Sequence, residues 1–395
     1  MDLKVAMNAR GNVVAMWSGL EDEQGDYKLW FNYYTPSVGW GMAEVVQADY
    51  DRYGGVQDGS IQVVLDPHGN VVAVWQQDAA IWGNVYTPLG GWGTAEVLPG
   101  VIPAASGVRL DMNANGYAAA VWEQGGDIWM SFYRPPSETD GPYGRWVGKG
   151  AQGSGSNARV AVHPDEDILF AVWEDNGNVW SLRDPPLVSV GPQLLAPNAE
   201  DPHVVIDDEG NTIAVWRQYF AGVDRYDVYY SPYAPDFGAG TEWGNTQPVS
   251  SGSGSAERLR LAMDRAGNAV VVWFQEKDDG TGYDLWSSVY DPNELEPRDR
   301  WQEQELVQTD DGRVQSADVA MSAGSAVVVW SSRYNPIGIS AWSRRYTPSQ
   351  GWRAAPELVG IDGGTPDVPQ VAMGAHGDAM VVWLDRPDVW STWVR

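Results

Sequence analysis

The sequence predicts an all-β protein of the β-propeller class, on two observations. One motif returns eight times in 395 residues, at intervals of 43 to 58 residues, which is typical of propeller blades. Each copy also has the composition of four short antiparallel strands, and no segment shows helical periodicity. The copies align on the tryptophan that ends an apolar run: Trp17, Trp75, Trp122, Trp173, Trp216, Trp273, Trp330 and Trp383.

A tight turn precedes the apolar run in each copy. In "DPHGN" (66–70), Pro67 and His68 suit a type I turn, and Gly69 suits the left-handed residue that follows it. Asp167 replaces the glycine in the fourth copy, and we expect it to take the left-handed conformation that Asp tolerates. The turn glycines are Gly11, Gly69, Gly116, Gly210, Gly267, Gly324 and Gly377.

The strands that follow the turn differ in burial. "VVAVW" (71–75) is apolar and rich in β-branched residues, which predicts a second strand buried on both faces. An aromatic residue leads the third strand, and four residues later a tyrosine stands in six copies. A further tryptophan opens the fourth strand in six copies: Trp40, Trp92, Trp146, Trp243, Trp301 and Trp352.

We expect one propeller domain over residues 1–395, with eight four-stranded blades as the first interpretation and seven as the alternative. The eighth copy ends at "DVWSTWVR" (388–395) after three strands, so its outer strand is expected to be missing or supplied by a partner. The repeats cover about 1–49, 58–99, 106–152, 157–198, 201–252, 257–309, 316–361 and 368–395.

Composition excludes several kinds of function. The net charge of −28 repels nucleic acid and anionic lipid, so neither is an expected partner. With no cysteine, the chain cannot form a disulfide framework, a thiolate zinc site or a cysteine nucleophile. No stretch reaches the roughly 18 apolar residues that a membrane helix needs, and the first residues do not have the pattern of a signal peptide.

Candidate ligand contacts follow from exposure and loop length. The fourth strand is only half covered, so its tryptophans are the candidate sugar-stacking residues: Trp40, Trp92, Trp146, Trp243, Trp301 and Trp352. The long connections between strands two and three lie in copies one, five, six and seven, which predicts a ligand-binding face on that side.

Acidic loops on the same face suggest Ca²⁺, a cation that prefers oxygen ligands. The best candidate site comprises Asp278, Asp279 and Asp284. A second candidate pairs Asp224 with Asp227, and a third, in the first copy, comprises Glu21, Asp22, Glu23 and Asp26. No other cofactor is expected.

The turn with Gly, the strand ending in an aromatic residue and the two Trp-led strands together resemble the bacterial tryptophan-rich propeller lectins, which bind fucose-type sugars between blades. Those lectins carry an Asp-Gly-Arg turn and a Leu-Trp-His element, whereas this chain has Gly-Asn, as at Gly69 and Asn70, and no His after the tryptophan. The resemblance implies a lectin-like propeller, located outside the cell or in the periplasm.

Three functions compete at this point. The first is a non-catalytic propeller that recognises glycans through Trp and Tyr side chains. The second is an interaction or assembly module that docks another protein. The third and least favoured is a glycosidase or sialidase-like enzyme, because the sialidase Ser-x-Asp-x-Gly-x-x-Trp box is absent and no catalytic residue can be assigned. We therefore expect the protein not to be an enzyme.

Overall fold

The computed structural model describes residues 2–20, 27–46, 56–57, 59–102, 104–136, 143–184, 191–235, 243–252, 254–308, 312–334, 338–360, 367–385 and 388–395. The described chain is all-β and forms eight antiparallel sheets, one from each repeat, as in an eight-bladed β-propeller. The predicted fold class and the count of eight are confirmed. The chain divides into two compact units, residues 1–176 with 181–193 and residues 177–180 with 194–395.

The first four sheets are numbered in chain order. Sheet 1 contains Leu3–Met7, Val13–Leu20, Tyr27–Thr35, Gly39–Trp40 and Glu44–Val45, and sheet 2 contains Gln62–Leu65, Val71–Gln77, Ala80–Thr87, Gly91–Trp92 and Glu96–Val97. Sheet 3 contains Ala105–Met112, Ala118–Gln124, Asp127–Arg134 and Arg145–Ser154, and sheet 4 contains Ser156–Val162, Leu169–Asp175, Asn178–Asp184 and Gln193–Pro197.

The last four sheets follow the same plan. Sheet 5 contains Ala199–Ile206, Thr212–Phe220, Arg225–Tyr233 and Gln247–Pro248, and sheet 6 contains Ala256–Met263, Ala269–Glu276, Tyr283–Tyr290 and Glu305–Leu306. Sheet 7 contains Arg313–Ser322, Ser325–Tyr334, Gly338–Thr347, Gly351–Trp352 and Glu357–Leu358, and sheet 8 contains Asp367–Met373, Ala379–Asp385 and Asp388–Val394. A short 3₁₀ helix spans Pro297–Asp299.

The outer strand departs from the prediction in sheets 1, 2 and 7, where it is split into two short segments that both pair with the third strand. Sheet 2 shows the reason. The Asn84 side chain donates to the carbonyl oxygen of Gly93 (3.2 Å), so a side chain takes the place of a regular ladder bond between the two segments. Sheet 8 has three described strands, as the sequence predicts.

The tryptophan at the end of the apolar run is buried in seven sheets, as predicted, whereas Trp17 of sheet 1 is only half-buried. Trp75 and Trp122 are fully buried, and each pairs across the sheet with the tryptophan of the third strand. The indole N–H of Trp75 donates to the side-chain oxygen of Gln77 (3.1 Å), and the Gln77 side chain is itself fully buried. The same Trp-x-Gln bond forms at Trp122 with Gln124, Trp216 with Gln218 and Trp273 with Gln275. These glutamines satisfy a donor that would otherwise be buried without a partner.

The predicted turns are confirmed at the glycine positions, where all seven turn glycines have φ between +74° and +93°. Asp66 shapes the turn in sheet 2, because its side chain accepts the backbone N–H groups of His68 and Asn70. The expectation for Asp167 is wrong, since it is not among the described residues with positive φ. The turn in the fourth copy closes from the N–H of His163 to the carbonyl of Ile168, which makes it one residue longer than the turn from Asp66 to Asn70.

Carboxylates on first strands connect neighbouring sheets. The Asp111 side chain accepts the backbone N–H of Val162 (2.7 Å), which joins sheet 3 to sheet 4. Burial raises the pKa of Asp111 from 3.8 to about 6, although the N–H groups of Val162 and Met112 oppose this rise. The other bonds of this kind run from Asp2 to the N–H of Ile61, from Asp201 to that of Leu259 and from Asp318 to that of Val371.

Candidate functional site

The six tryptophans predicted to contact sugar each pack against the tyrosine near the end of the third strand. Their ring centroids lie 5.2 to 5.9 Å apart at interplanar angles of 58° to 66°. This edge-on geometry is a favourable aromatic contact that stabilises the sheet. The pairs are Tyr34 with Trp40, Tyr86 with Trp92, Tyr133 with Trp146, Tyr233 with Trp243, Tyr290 with Trp301 and Tyr346 with Trp352.

Exposure divides this set into two groups. Trp146, Trp301 and Trp352 are only 7 to 8 % exposed, so they offer little ring surface to a ligand. Trp40, Trp92 and Trp243 are half-buried and offer more. The sequence did not distinguish the two groups, because the covering side chains come from elsewhere in the chain.

The predicted calcium site does not form a cluster. Asp284 pairs with the ammonium group of Lys277 (3.1 Å), and Asp279 accepts the N–H and the hydroxyl of Thr281, which lowers its pKa. Asp278 lies exposed beside them. Within the part of the chain that the structure describes, no three His, Asp or Glu side chains are grouped so that they could hold a metal ion.

The two other acidic groups also give no support for a cation. Asp224 accepts the hydroxyl of Tyr219 (2.8 Å), and Asp227 pairs with Arg225 (3.1 Å). The acidic group of the first copy, residues 21–26, lies outside the described residues.

A layered group of side chains lies at the end of sheet 5, on the side of the long loop between strands two and three. The guanidinium of Arg217 lies 4.8 Å from the ring centre of Tyr226 and pairs with Glu200 (3.1 Å). The Tyr226 hydroxyl bonds to Glu200, which raises the pKa of Tyr226 to about 12. Tyr219 packs against Tyr226 with ring centres 5.1 Å apart. We call Glu200, Arg217, Tyr219 and Tyr226 the sheet-5 platform.

Sheet 6 repeats part of this arrangement. Tyr283 bonds to Glu257, which contributes to the raised pKa of Tyr283 after the effect of burial. The Arg258 guanidinium lies 6.0 Å from the ring centre of Tyr283 and 5.3 Å from that of Phe274. We call Glu257, Arg258 and Tyr283 the sheet-6 platform.

The two platforms are adjacent. Arg217 donates to the carbonyl oxygen of Ala256 in sheet 6 (3.2 Å), next to Glu257. The N–H of Tyr226 also donates to the Ser255 hydroxyl (3.2 Å). Together the platforms present guanidinium donors, carboxylate acceptors and partly exposed tyrosine rings, which are the groups that bind hydroxyls and the apolar faces of sugars.

Sequence reasoning predicted a ligand-binding face at these loops and missed these residues. Their signal is positional: Tyr226 and Tyr283 each stand three residues before the aromatic residue of the third strand, and Glu200 and Glu257 each stand sixteen before the tryptophan of the second. A shared offset in two neighbouring copies could have identified them.

The sequence matches no protein family and no curated protein. Solved structures do share the fold. An ulvan lyase of polysaccharide lyase family PL25 matches with a TM-score of 0.55 and 11% identity, over 100% of this chain and 94% of that one. A lectin of Aleuria aurantia matches with a TM-score of 0.41 and 10% identity, over 77% of this chain and 97% of that one. The tricorn protease matches with a TM-score of 0.49 and 10% identity over 99% of this chain, which spans 42% of the protease.

The similarity to polysaccharide lyases corrects the expectation that the protein is not an enzyme. Polysaccharide lyases share the fold over nearly their whole length, so the propeller is not by itself an indication of a non-catalytic protein. The described residues contain no helix with the length and apolar character needed to cross a membrane.

Proposed function

We propose that this protein recognises a polysaccharide through the sheet-5 and sheet-6 platforms. The observation that carries the proposal is a Tyr-Glu pair at the same repeat position in two neighbouring sheets, each with an arginine beside the tyrosine ring, since a chain of sugars presents similar groups at regular intervals. Charged donors and acceptors fix hydroxyls, and aromatic rings cover the apolar face of a pyranose.

Tyr219 is the residue that we expect to contact the sugar ring. One face of Tyr226 is taken by Arg217, and Tyr219 packs on the same tyrosine from the loop side. Tyr219 is half-exposed, and its hydroxyl is held by the exposed Asp224. The ring is therefore oriented in advance, which reduces the entropy lost on binding.

The half-buried tryptophans Trp40, Trp92 and Trp243 are proposed as secondary contacts, because their indoles retain exposed surface at the outer strand. A polysaccharide ligand also favours a location outside the cell or in the periplasm, where such polymers are found.

Cleavage of the bound polysaccharide is the second candidate function, favoured by the fold shared with polysaccharide lyases. A lyase removes a proton next to a uronate carboxylate and expels the glycosidic oxygen, which leaves a carbon–carbon double bond. The bond to Glu200 raises the pKa of Tyr226 to about 12, so its hydroxyl is a weaker acid than an ordinary tyrosine and is a poor base at neutral pH.

The test is affinity electrophoresis against neutral and uronate-containing polysaccharides, with and without Ca²⁺, followed by ultraviolet detection of unsaturated products. Tyr219→Ala should weaken retention about tenfold, which is about 1.4 kcal/mol, and Tyr219→Phe should retain most of it. Trp390→Ala is the matched control, because Trp390 is an exposed aromatic residue (43%) in sheet 8, away from the platforms.

Retention that is equal in Tyr219→Ala and the wild type would overturn the platform as the site. Trp40→Ala measured in parallel would then show whether the outer-strand tryptophans bind instead. Unsaturated product from the wild type would establish cleavage, and retention without product would leave recognition as the function.

A further inference from the structure

The fourth repeat lacks a pair of side chains that most other repeats share. Six copies have a tyrosine four residues after the first aromatic residue of the third strand, and the same six have the fourth-strand tryptophan. The fourth copy has Asp184 at the tyrosine position and no fourth-strand tryptophan. It is also the copy in which Asp167 replaces the turn glycine.

At other junctions, this Tyr-Trp pair covers the preceding sheet. Tyr133 and Trp146 of sheet 3 belong to the same buried cluster as Val72 and Val85 of sheet 2. Val72 lies three residues before the core tryptophan of its second strand, and Val85 lies three after the tryptophan of its third strand. The pairs of sheets 2, 6 and 7 pack on sheets 1, 5 and 6 in the same way.

A cavity lies at the corresponding position between sheets 3 and 4. The residues of sheet 3 that match Val72 and Val85 are Ala119 and Phe132, and both line a cavity of about 180 Å³. Asp184 lines it from sheet 4. The cavity therefore occupies the space that the tyrosine and tryptophan fill at other junctions.

The walls and the mouth of the cavity differ in chemistry. Ala119, Phe132 and Leu169 contribute apolar walls, and Arg134, Asp167 and Asp184 contribute charges. Arg134 and Asp167 are exposed, which places them toward solvent. The ammonium of Lys149 pairs with Asp184 and lies 5.7 Å from the ring centre of Phe132, so one wall already accepts a positive group beside an aromatic face.

We propose that this cavity binds a planar aromatic ring with a single polar N–H or O–H group, an indole or a phenol. An apolar cavity of about 150 Å³ is enough for one benzene ring, so this one can hold such a ring. The apolar walls of Ala119, Phe132 and Leu169 suit the faces of an aromatic ring, and one N–H or O–H of that ring can reach Asp184 or Asp167. The ring would restore the aromatic packing that the other junctions have. Its source is either a small molecule or a side chain of a partner polypeptide.

The test uses ¹⁹F NMR of 5-fluoroindole with the full-length protein. Asp184→Tyr restores the residue of the other repeats and should fill the cavity, so the dissociation constant should rise at least tenfold and the melting temperature should increase. Asp184→Asn leaves the space open and should bind within about threefold of the wild type. Ala119→Leu fills the cavity from the opposite wall and should also abolish binding, which covers the case in which Asp184→Tyr does not fold.

Equal binding by the wild type, Asp184→Tyr and Ala119→Leu would overturn the proposal, as would the absence of any binding by the wild type. Displacement of fluoroindole by methyl pyranosides would also overturn it, in favour of a sugar pocket. Competition by N-acetyl-tryptophanamide at least as strong as that by indole would identify a polypeptide source, and competition by indole alone would identify a small molecule. The outcome is independent of the platforms, which lie on sheets 5 and 6.

Discussion

The pH dependence of folding stability offers a direct test of the bond between Asp111 and Val162. Burial raises the pKa of Asp111 from 3.8 to about 6, so the folded protein binds this proton more tightly than the unfolded chain does. The stabilisation from this group is therefore fully present below about pH 4 and is lost as the pH rises through about 6. A rise from 3.8 to about 6 corresponds to about 3 kcal/mol, which sets an upper limit.

Asp111→Asn removes the titration while its side-chain oxygen can still accept the N–H of Val162. We expect the variant to match the wild type near pH 4 and to be more stable above pH 7, by up to about 3 kcal/mol. Urea denaturation at half-unit steps from pH 4 to 8 measures the difference. The matched control is Asp318→Asn, whose wild-type side chain accepts the N–H of Val371 (3.0 Å) in the same kind of bond.

Two results would refute the reasoning about Asp111. One is an Asp111→Asn variant that is less stable than the wild type at pH 7.5. The other is a difference between the two proteins that stays constant from pH 4 to 8, because a charge that is costly to bury must give a difference that grows as the proton leaves.

Two further predictions concern the backbone and the core. Gly155→Ala should destabilise the protein by about 3 kcal/mol or more, because its φ is +145° and an added Cβ would collide with a neighbouring carbonyl oxygen. Gly177→Ala has open space around the added Cβ and should cost about 1 kcal/mol. Chemical denaturation compares the two variants, and equal losses of stability would contradict the steric argument. Gln77→Ala should lower the free energy of unfolding by about 2 to 4 kcal/mol, because it leaves the buried N–H of Trp75 without its acceptor and opens a cavity. The control, Gln76→Ala on the adjacent residue, should change the free energy of unfolding by about 0.5 kcal/mol or less. Thermal unfolding of the Gln77 and Gln76 variants decides between this account and one in which the Trp-x-Gln bond is dispensable.

Much of the fold could be predicted because it depends on local patterns. The tight turn needs a residue with positive φ, which Gly69 adopts without strain, and the continuous apolar run "VVAVW" (71–75) specifies a buried strand from its composition alone. The turn at Asp167 was predicted wrongly because an added residue changes how a loop closes even when one position matches the other copies.

The site residues depend on contacts between distant parts of the chain, which no local pattern contains. Trp146 and Trp40 occupy the same position in the repeat, yet neighbouring side chains bury Trp146 and leave Trp40 half-buried. The stacking of Arg217 on Tyr226 likewise depends on the pairing of two strands and on the position of Glu200 in a third. The sequence could indicate which loops are long, but not which side chains meet beside them.

The carboxylate bonds between first strands have a consequence for how the protein opens. They join sheets 1 and 2, 3 and 4, 5 and 6, and 7 and 8, and each bond lies inside one of the two compact units. The amide protons of Ile61, Val162, Leu259 and Val371 are therefore expected to exchange with solvent only when the two sheets that share each bond separate.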